Sequence, residues 1–381
     1  MTTPAEDAVA LTRRLVQLDS ANPPGDESAV AALLAGMLEQ AGLTVDQYEF
    51  AAGRTSLVAS LPGVTDAAPI CFAGHIDTVP FGHTEWTVEP LSAEIDRGRL
   101  YGRGSSDMKS GIAAMTVAAI GVAAGPRPPV GLRLVICAGE ETGCEGARHL
   151  AEANALGAPA GAMVVPEPTD NSPVLIHKGA LWVRLRARGR TAHGSMPHLG
   201  DNAALTLIDG VSRLMALDLA APPHPVLGEM TRNLGRIQAG QNINSVPDHA
   251  EAHIDLRTLP GQDHAAVLAE LRAGLGEAIE VEPIASLPAL GTDPAGTWVA
   301  RVAETTRAVT NEKPTHAGMT YFTDASVLTP AMGGPPTVVL GPGHASLAHQ
   351  TDEYCTVTRI EQATEIFTEI AADWCLRRNV C

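Results

Sequence analysis

The sequence predicts a mixed α/β protein in which helices flank a mostly parallel sheet and a second, α+β unit is inserted. Its 381 residues exceed what one hydrophobic core usually organises, which favours two domains. Hydrophobic residues make up 45% of the chain but aromatic residues only 3%, so its cores must be Ala, Val, Leu and Ile, as in buried parallel sheets. Strand and helix patterns also alternate along the chain, which is typical of parallel sheets with right-handed crossovers.

In the first part of the chain, apolar spacing distinguishes helices from strands. The predicted helices are residues 5–19, 27–41 and 108–125. The predicted strands are residues 55–63, 68–77, 100–107 (strand into loop) and 130–139, the last followed by a Gly-containing turn and a helix. Gly42 suits the end of the second helix, because glycine readily adopts the left-handed conformation that closes helices.

The pattern changes after residue 178 and changes back after residue 290. Residues 175–194 and 249–261 alternate polar and apolar side chains, as strands with one exposed face do, and residues 202–218 and 263–279 have helical spacing. Later segments again combine helices at 297–311 and 358–378 with a buried strand at 335–343. We therefore predict one domain in two parts, residues 1–178 and 291–381, with an inserted domain at 179–290.

The bulk composition excludes some classes of partner. The chain has 43 acidic against 26 basic residues and a formal net charge of −17, which argues against nucleic acid binding because phosphate contacts need clustered Lys and Arg. No apolar segment approaches 20 residues and the N-terminus has no signal-like apolar region, so we expect no membrane span and a cytoplasmic location. The six cysteines include no Cys-x-x-Cys pair and are interpreted as packed residues or free thiols.

The tripeptide His-Ile-Asp occurs twice, at residues 75–77 and 253–255. A His two residues before an Asp is a weak motif, since chance alone supplies about one such pair in this composition. The first copy directly follows the apolar run that ends at Ala73, and the functional crevice of an open parallel sheet lies at the carboxyl ends of its strands. The second copy lies inside an alternating strand, so a solvated sheet face explains it.

Further metal-binding side chains follow other predicted strands or Gly-rich turns. They are Asp107, the adjacent Glu140 and Glu141, Glu167 and His349. Imidazole and carboxylate together suit zinc, and a two-metal site needs a ligand shared between its ions. Because Glu140 and Glu141 are neighbours, one can bind metal while the other remains a free base, as metal-assisted hydrolysis requires.

These residues and their context resemble the co-catalytic zinc amidohydrolase family that contains acetylornithine deacetylase, succinyl-diaminopimelate desuccinylase, aminoacylase and glutamate carboxypeptidases. The resemblance runs nearly end to end and rests on GHIDTVPFG, LYGRGSSDMKSGIAAM, AGEETG, EPT, AHGSMPHLGDNA, HIDLRTLPG and AHQTDEY. It implies a catalytic domain with an inserted lid or dimerisation domain and two divalent ions, zinc or alternatively cobalt or manganese. It also implies a homodimer through the lid.

The resemblance also implies a role for each matching position. The implied metal ligands are His75 and Glu167 on one ion, Glu141 and His349 on the other, and Asp107 on both. Asp77 would orient His75, Glu140 would be the general base, and His193 would stabilise the oxyanion of the reaction. Asn242 would contribute to the same pocket, and Arg257 would bind the substrate carboxylate, although an exposed strand arginine is the alternative.

Several segments bear on the substrate within this family. Glu167 resembles the acylase and carboxypeptidase members, whereas dipeptidases and tripeptidases tend to have Asp there. The segments EPT with HKG, HIDLRTLPG and VVLGPGHASLAHQTDEY resemble acetylornithine deacetylase more than the desuccinylase. Two segments depart from the family pattern. Pro166 precedes Glu167 where relatives usually have Gly, and the segment 318–334 is only loosely similar. In that segment Thr323 and Asp324 could bind a polar substrate, or Asp324 could cap a helix.

The resemblance thus implies metal-dependent hydrolysis of the amide of an N-acyl-L-amino acid, with N-acetylornithine-like deacetylation as the leading hypothesis. A carboxypeptidase or dipeptidase that takes a short peptide, or a succinyl-diaminopimelate desuccinylase, is the alternative within the family. From other classes, a catalytically silent binding subunit would be expected to lack the base or a ligand, and a structural zinc site is typically Cys-rich. Neither describes this sequence well.

Overall fold

The computed structural model describes residues 3–219, 222–313, 315 and 317–377, and it has the predicted mixed α/β fold. The chain forms two compact units. The first comprises residues up to Leu175, residues Thr292–Ala317 and residues from Thr323 onward, and the second comprises Ile176–Gly291 with Gly318–Phe322. The sequence placed the insert at 179–290 and did not predict that the short segment 318–322 joins it. Cys381 and the end of the helix predicted at 358–378 lie outside the described residues, so their predictions are not tested.

The α-helices of the described residues are seven to sixteen residues long. These are α1 (Pro4–Val16), α2 (Ser28–Gln40), α3 (Lys109–Ala123), α4 (Glu145–Glu152), α5 (Ala203–Ala216), α6 (His264–Leu275), α7 (Thr297–Thr310), α8 (Ala325–Ala331) and α9 (Val357–Ala372). Thr3 begins α1 with a capping box, in which its hydroxyl and the Glu6 carboxylate each accept the other residue's backbone N–H. None of the described helices is long and apolar enough to span a membrane.

The strands are mostly short. They are β1 (Thr44–Ala51), β2 (Arg54–Leu61), β3 (Ile70–His75), β4 (Ile95–Asp96), β5 (Arg99–Tyr101), β6 (Leu132–Cys137), β7 (Ala162–Val165), β8 (Ile176–His177), β9 (Gly179–Arg188), β10 (Thr231–Ala239), β11 (His249–Thr258), β12 (Glu280–Leu287), β13 (Leu290–Gly291), β14 (Gly318–Met319), β15 (Thr337–Val339) and β16 (Tyr354–Thr356).

The central sheet of the first unit has the strand order β1-β2-β6-β3-β7-β15. Strands β6, β3, β7 and β15 pair in parallel, whereas β1 and β2 form an antiparallel edge. Ile70 and Phe72 of β3 belong to a core shared with α1, α2, α3 and α9, and the alternate residue Cys71 is also fully buried. Because both faces of the central strands are covered, their sequences are continuously apolar. The carboxyl ends of the parallel strands therefore meet at one edge.

The second unit contains an antiparallel sheet with the order β10-β11-β9-β12. Alternate residues of β9 and β11 pack with the apolar stripes of α5 and α6, and the other face bears polar residues such as Arg184, Arg186 and Glu251. Strands β10 and β12 were not predicted. Nearly all of β10 is exposed at the sheet edge, and β12 contains Pro283 beside a register shift, so neither shows the alternation that marks a half-buried strand.

His177 predicts a pH dependence of stability. It is fully buried in β8, and its Nδ1 lies 2.9 Å from the backbone oxygen of Lys178. Burial lowers the pKa of His177 to about 4. The unfolded chain therefore binds a proton between pH 6.5 and 4 that the folded chain does not, so the free energy of unfolding falls by roughly 2 kcal/mol between pH 7 and pH 5.

Urea unfolding at the two pH values measures this loss, with His177→Asn as the control because Asn takes up no proton. We expect the wild type to lose roughly 2 kcal/mol more stability than the variant. Equal losses in the two proteins would contradict the assignment of this titration to His177.

Candidate metal centre

The predicted ligands lie on loops that begin where strands of the central sheet end. His75 is the last residue of β3, Glu140 and Glu141 form the turn after β6, and Glu167 follows β7. His349 lies in the loop between β15 and β16. Because β3, β6 and β7 run in parallel, their ends bring these side chains to one edge of the sheet.

Asp107 reaches the same place from the loop that precedes α3. Its two carboxylate oxygens face in different directions. Oδ1 lies 3.2 Å from Nε2 of His75, which is also 3.8 Å from Oε1 of Glu167. Oδ2 lies 3.4 Å from Nε2 of His349, which is 3.1 Å from Oε2 of Glu141. Asp107 therefore stands between two sets of donors, each with one imidazole and one further carboxylate.

The spacing of these atoms fits metal coordination. Two ligand atoms on one tetrahedral zinc ion, each about 2.0–2.2 Å from it, are about 3.3 Å apart. Ligand atoms of His75, Asp107 and Glu141 all lie within 4.8 Å of one another. Oε1 of Glu141 is buried and has no hydrogen-bond partner among the described residues, which is consistent with a metal-ligand oxygen. The residues present therefore fit two divalent ions that share Asp107.

The electrostatics of the site also favour cations. Burial raises the pKa of Glu167 and of Glu140 well above the usual range, and neighbouring carboxylates add to the effect. Hydrogen bonds to Asp107 and Glu141 raise the pKa of His349 to about 10. The pKa of Asp107 is held below its ordinary value, because the two imidazoles outweigh the effect of burial. Bound cations would relieve the repulsion among the buried carboxylates.

Asp77 contacts more than His75. The Nδ1 atom of His75 lies 3.0 Å from the backbone oxygen of Asp77 and 3.5 Å from its carboxylate. The fully buried carboxylate also accepts the backbone N–H groups of Glu140 at 3.1 Å and Glu141 at 3.2 Å. Burial alone would raise the pKa of Asp77, but His75, Asn22 and the Glu140 N–H lower it below its ordinary value. Asp77 is thus placed to orient both His75 and the Glu140–Glu141 turn.

Asn22 is a residue that the sequence analysis missed. Its Nδ2 donates to Oδ2 of Asp77 at 2.8 Å and to the Thr142 hydroxyl at 3.0 Å, and only 3% of Asn22 is exposed. It lies in the segment SANPPGDES, residues 20–28, which the sequence predicts only as a loop between the first two helices. Only the pairing of that loop with the end of β3 reveals the contact.

The remaining predicted residues belong to the second unit. His193 and Asn242 are both exposed, and they lie on two loops that pair with each other through a bridge between His193 and Ser245. Nδ1 of His193 accepts the backbone N–H of Ser195 at 3.1 Å and lies 2.7 Å from the Ser195 hydroxyl. In the neutral imidazole the hydrogen is therefore on Nε2, and this N–H group can donate a hydrogen bond to a ligand.

Arg257 lies beside aromatic rings within the same unit. Its Nε donates to the Asp255 carboxylate at 3.0–3.1 Å, and its guanidinium lies 5.4 Å from the ring centroid of Phe322. The Nε1–H group of Trp182 donates a hydrogen bond to the Asp255 carboxylate at 3.0 Å, and the Trp182 ring packs edge-on against Phe322. The sequence analysis missed both rings, because Phe322 is far from Arg257 in the chain.

The second His-Ile-Asp copy has the alternating strand environment that the sequence predicted. His253 Nε2 lies 2.9 Å from the Glu251 carboxylate on the same face of β11. Asp255 pairs with Arg257 of the same strand and accepts a hydrogen bond from Trp182 of the neighbouring strand β9. These contacts lie on the face of a continuous sheet and not at the ends of strands.

The expectation that Asp324 caps α8 through its side chain is wrong. Asp324 precedes the helix but makes no side-chain cap bond, and the Thr323 hydroxyl accepts the N–H of Ala325 instead. Asp324 is fully buried, and burial raises its pKa to about 6. The described cysteines are buried and form no disulfide, which agrees with their interpretation as packed residues.

The fold and the site define a class of protein. A mostly parallel sheet that collects two imidazoles and several carboxylates at its carboxyl edge, with a spare Glu beside them, is typical of a metal-dependent hydrolase. Residues 71–373 match the family model described as peptidase family M20/M25/M40. The chain therefore belongs to this family of metal-dependent amidohydrolases and peptidases.

Individual relatives agree with this assignment. The chain is 29% identical to acetylornithine deacetylase of Salmonella arizonae over 370 residues. The aligned region covers 91% of each sequence. Among solved structures it is similar to the M20 family metallo-carboxypeptidase Sso-CP2 of Sulfolobus solfataricus, with 20% identity, a TM-score of 0.76 and coverage of 96% and 98% of the two chains. A dinuclear metal binding peptidase from Bacillus subtilis has 17% identity, a TM-score of 0.69 and 97% coverage of both chains.

The two His-Ile-Asp copies provide a matched pair of variants for metal binding. We expect His75→Ala to lower the metal content of the purified protein, because it removes an imidazole from the Asp107 site. We expect His253→Ala to keep the wild-type content, since its ring pairs with Glu251 on a strand surface. Elemental analysis after dialysis against zinc measures both, and an equal loss in the two variants would contradict the assignment.

Proposed function

We propose that this protein hydrolyses the amide bond of an N-acyl-L-amino acid, with an N-acetylornithine-like compound as the substrate. The observation that carries the proposal is the position of Asp107 between the His75–Glu167 and His349–Glu141 pairs. One carboxylate flanked by two mixed donor sets is the arrangement that a co-catalytic pair of ions needs.

In this proposal the two ions are divalent, with zinc first and cobalt or manganese as alternatives. His75 and Glu167 would hold one ion, His349 and Glu141 the other, and Asp107 both. Bound ions would supply Lewis acidity that polarises the amide carbonyl and lowers the pKa of water. Asp77 holds the ring of His75 and the turn that carries Glu141, so these two ligands are already oriented in the absence of metal.

Glu140 is the proposed general base. It adjoins the ligand Glu141, and its backbone N–H is held by Asp77. Only 6% of Glu140 is exposed, and burial raises the pKa of its carboxyl, the direction that suits proton transfer near neutral pH. Its carboxylate would take a proton from the attacking water and pass it to the nitrogen of the leaving amine.

His193 and Arg257 would bind two different groups of the substrate, the carbonyl oxygen of the scissile amide and the carboxylate. The Nε2–H group of His193 would donate a hydrogen bond to the carbonyl oxygen of the scissile amide, which gains negative charge during the reaction. Asn242, on the loop that pairs with the His193 loop, would contribute to the same pocket. Among the described residues the contacts of Arg257 with Asp255 run through Nε, so its terminal nitrogens could bind the substrate carboxylate.

The deacetylase hypothesis is supported by the acetylornithine deacetylase that matches over most of the chain. A peptidase is the second candidate, because proteins of the same fold include aminopeptidase PepT of Bacillus cereus, with 24% identity and a TM-score of 0.73. Both reactions would use the metal ions and the base of this chain, and they differ in the group on the scissile nitrogen or carbonyl. A desuccinylase is a further alternative within the same chemistry.

Glu140→Gln tests the proposed chemistry. Because Gln cannot accept the proton, we expect kcat to fall about 10²- to 10⁴-fold with both metal ions retained. Cys144→Ser is the matched control, since its thiol lies 3.9 Å from Oε1 of Glu140 but is given no role in the reaction. Full activity of Glu140→Gln at full metal content would contradict the assignment of the base.

A substrate panel tests the choice of substrate. Amine release is measured from N-acetyl, N-succinyl and N-formyl amino acids and from dipeptides, with metal-stripped protein before and after zinc or cobalt is added. We expect N-acetyl-L-ornithine to be turned over best. Preference for dipeptides would keep the mechanism but replace the deacetylase hypothesis with the peptidase, and no turnover with two ions bound would favour a silent binding subunit.

A homodimer through the second unit is also part of the proposal. Strand β10 is an edge strand, and α5 carries the exposed apolar residues Leu205, Ile208 and Met215 three, seven or ten residues apart on one side. Exposed apolar residues grouped beside an edge strand are typical of a subunit interface. A cytoplasmic location also remains a prediction.

Light scattering after gel filtration measures the oligomeric state. We expect a dimer for the wild type and a monomer for the double variant Leu205→Glu, Ile208→Glu, because the charges would be buried in the interface. Val64→Glu, at an apolar residue that is 68% exposed in the first unit, is the control and should stay dimeric. A monomeric wild type would contradict the proposal.

A further inference from the structure

Glu353 is a fully buried carboxylate that has no role so far. It lies four residues after His349 and immediately before β16. Its Oε1 accepts the backbone N–H groups of Ser106 at 2.8 Å and Asp107 at 3.0 Å. Its Oε2 accepts the N–H of Gly104 at 3.0 Å. Three backbone groups of one loop therefore converge on one side chain.

Arg103 completes this arrangement from the same loop. Its Nη1 donates to Oε2 of Glu353 at 2.8 Å and to the backbone oxygen of Gln350 at 3.1 Å. Its Nη2 donates to the oxygen of Pro80, 3.2 Å away, and its guanidinium packs on the ring of Trp86. Only 3% of the Arg103 side chain is exposed, so the ion pair is shielded from water.

The two segments that Glu353 joins carry ligands of both proposed ions. The loop 103–107 ends at Asp107, and the loop 349–353 begins at His349, whose Nε2 lies 3.4 Å from Oδ2 of Asp107. Strand pairing between β5 and β16 and a hydrogen bond from the Gly102 N–H to the backbone carbonyl oxygen of Glu353 hold the segments together at their other ends. Asp107 and His349 are therefore both attached to one buried, hydrogen-bonded junction at Glu353.

We propose that Glu353 is a positioning residue of the metal centre, which holds the backbone of Asp107 so that its two carboxylate oxygens face the two donor sets. This role of Glu353 rests on the proposed function, which supplies the two ions. It adds a residue that touches neither ion and acts through Asp107.

The chemistry of the junction requires a carboxylate and not merely a side chain of that size. Each oxygen of Glu353 accepts hydrogen bonds from two donors. Gln has the same shape, but its amide group would direct two N–H donors at one of these pairs of donors. Either the pair of backbone N–H groups at Ser106 and Asp107 or the Arg103–Gly104 pair would lose its acceptor, and the loop would shift.

Metal titration of Glu353→Gln tests the proposal without any substrate. Stripped protein is titrated with zinc against a competing chelator, and visible absorption of the cobalt-loaded protein reports ligand geometry. We expect the dissociation constants to rise about 10- to 100-fold, as for other residues that orient metal ligands, with an altered cobalt spectrum. Wild-type constants and spectrum in a folded Glu353→Gln protein would overturn the proposal.

Leu34→Ala separates positioning from general stability. Leu34 is fully buried in the core of the first unit, so its truncation should lower the melting temperature but keep the wild-type metal affinity. If Leu34→Ala weakens metal binding as much as Glu353→Gln does at an equal loss of melting temperature, Glu353 is only structural.

Arg103→Lys is the second variant if Glu353→Gln does not fold. It keeps the charge beside Glu353 but cannot reach Gln350 and Pro80 at once, so we expect a smaller loss of metal affinity in the same direction. Unchanged affinity would overturn the proposal. A wild-type chain that binds fewer than two ions would instead count against the proposed function, and the two failures are thus distinguishable.

Discussion

Buried negative charge at the carboxyl edge of the central sheet is the constraint on which the rest of the site depends. Asp77, Asp107, Glu140 and Glu167 are each exposed by less than a tenth, and they lie at the ends of neighbouring segments. A buried carboxylate without compensation costs several kcal/mol, so the surrounding structure must supply positive charge or hydrogen-bond donors. Imidazoles supply part of this, and the geometry around Asp107 suits divalent cations for the rest.

Backbone N–H groups provide a second form of compensation and also determine orientation. Asp77 accepts two of them from the Glu140–Glu141 turn, and Glu353 accepts three from the loop that ends at Asp107. In each case one carboxylate connects segments that are distant in sequence and fixes the loop that presents a ligand. The ligand geometry therefore belongs to the folded backbone as much as to the ligands themselves.

The two His-Ile-Asp copies show how strongly the surroundings decide the meaning of a short motif. In the first copy the strand stops at His75, and the carboxylates of Asp107 and Glu167, from two other segments, reach its ring. In the second copy the strand continues through His253, whose ring pairs with a neighbour two residues away. A ligand site requires several segments to converge, which a position inside a continuous strand does not provide.

The sequence by itself determined the fold class and the candidate ligands, because strand–helix alternation and the residues that follow strands are local properties. The family followed from the resemblance of its motifs. It did not reveal β10, which is nearly all exposed, or β12, in which Pro283 lies beside a register shift. It also did not reveal that the Asp324 side chain is buried and makes no cap bond to α8. Asn22, Phe322 and Glu353 were missed for one physical reason. Each acts on a residue at least 55 positions away, and only tertiary packing decides which distant side chains meet.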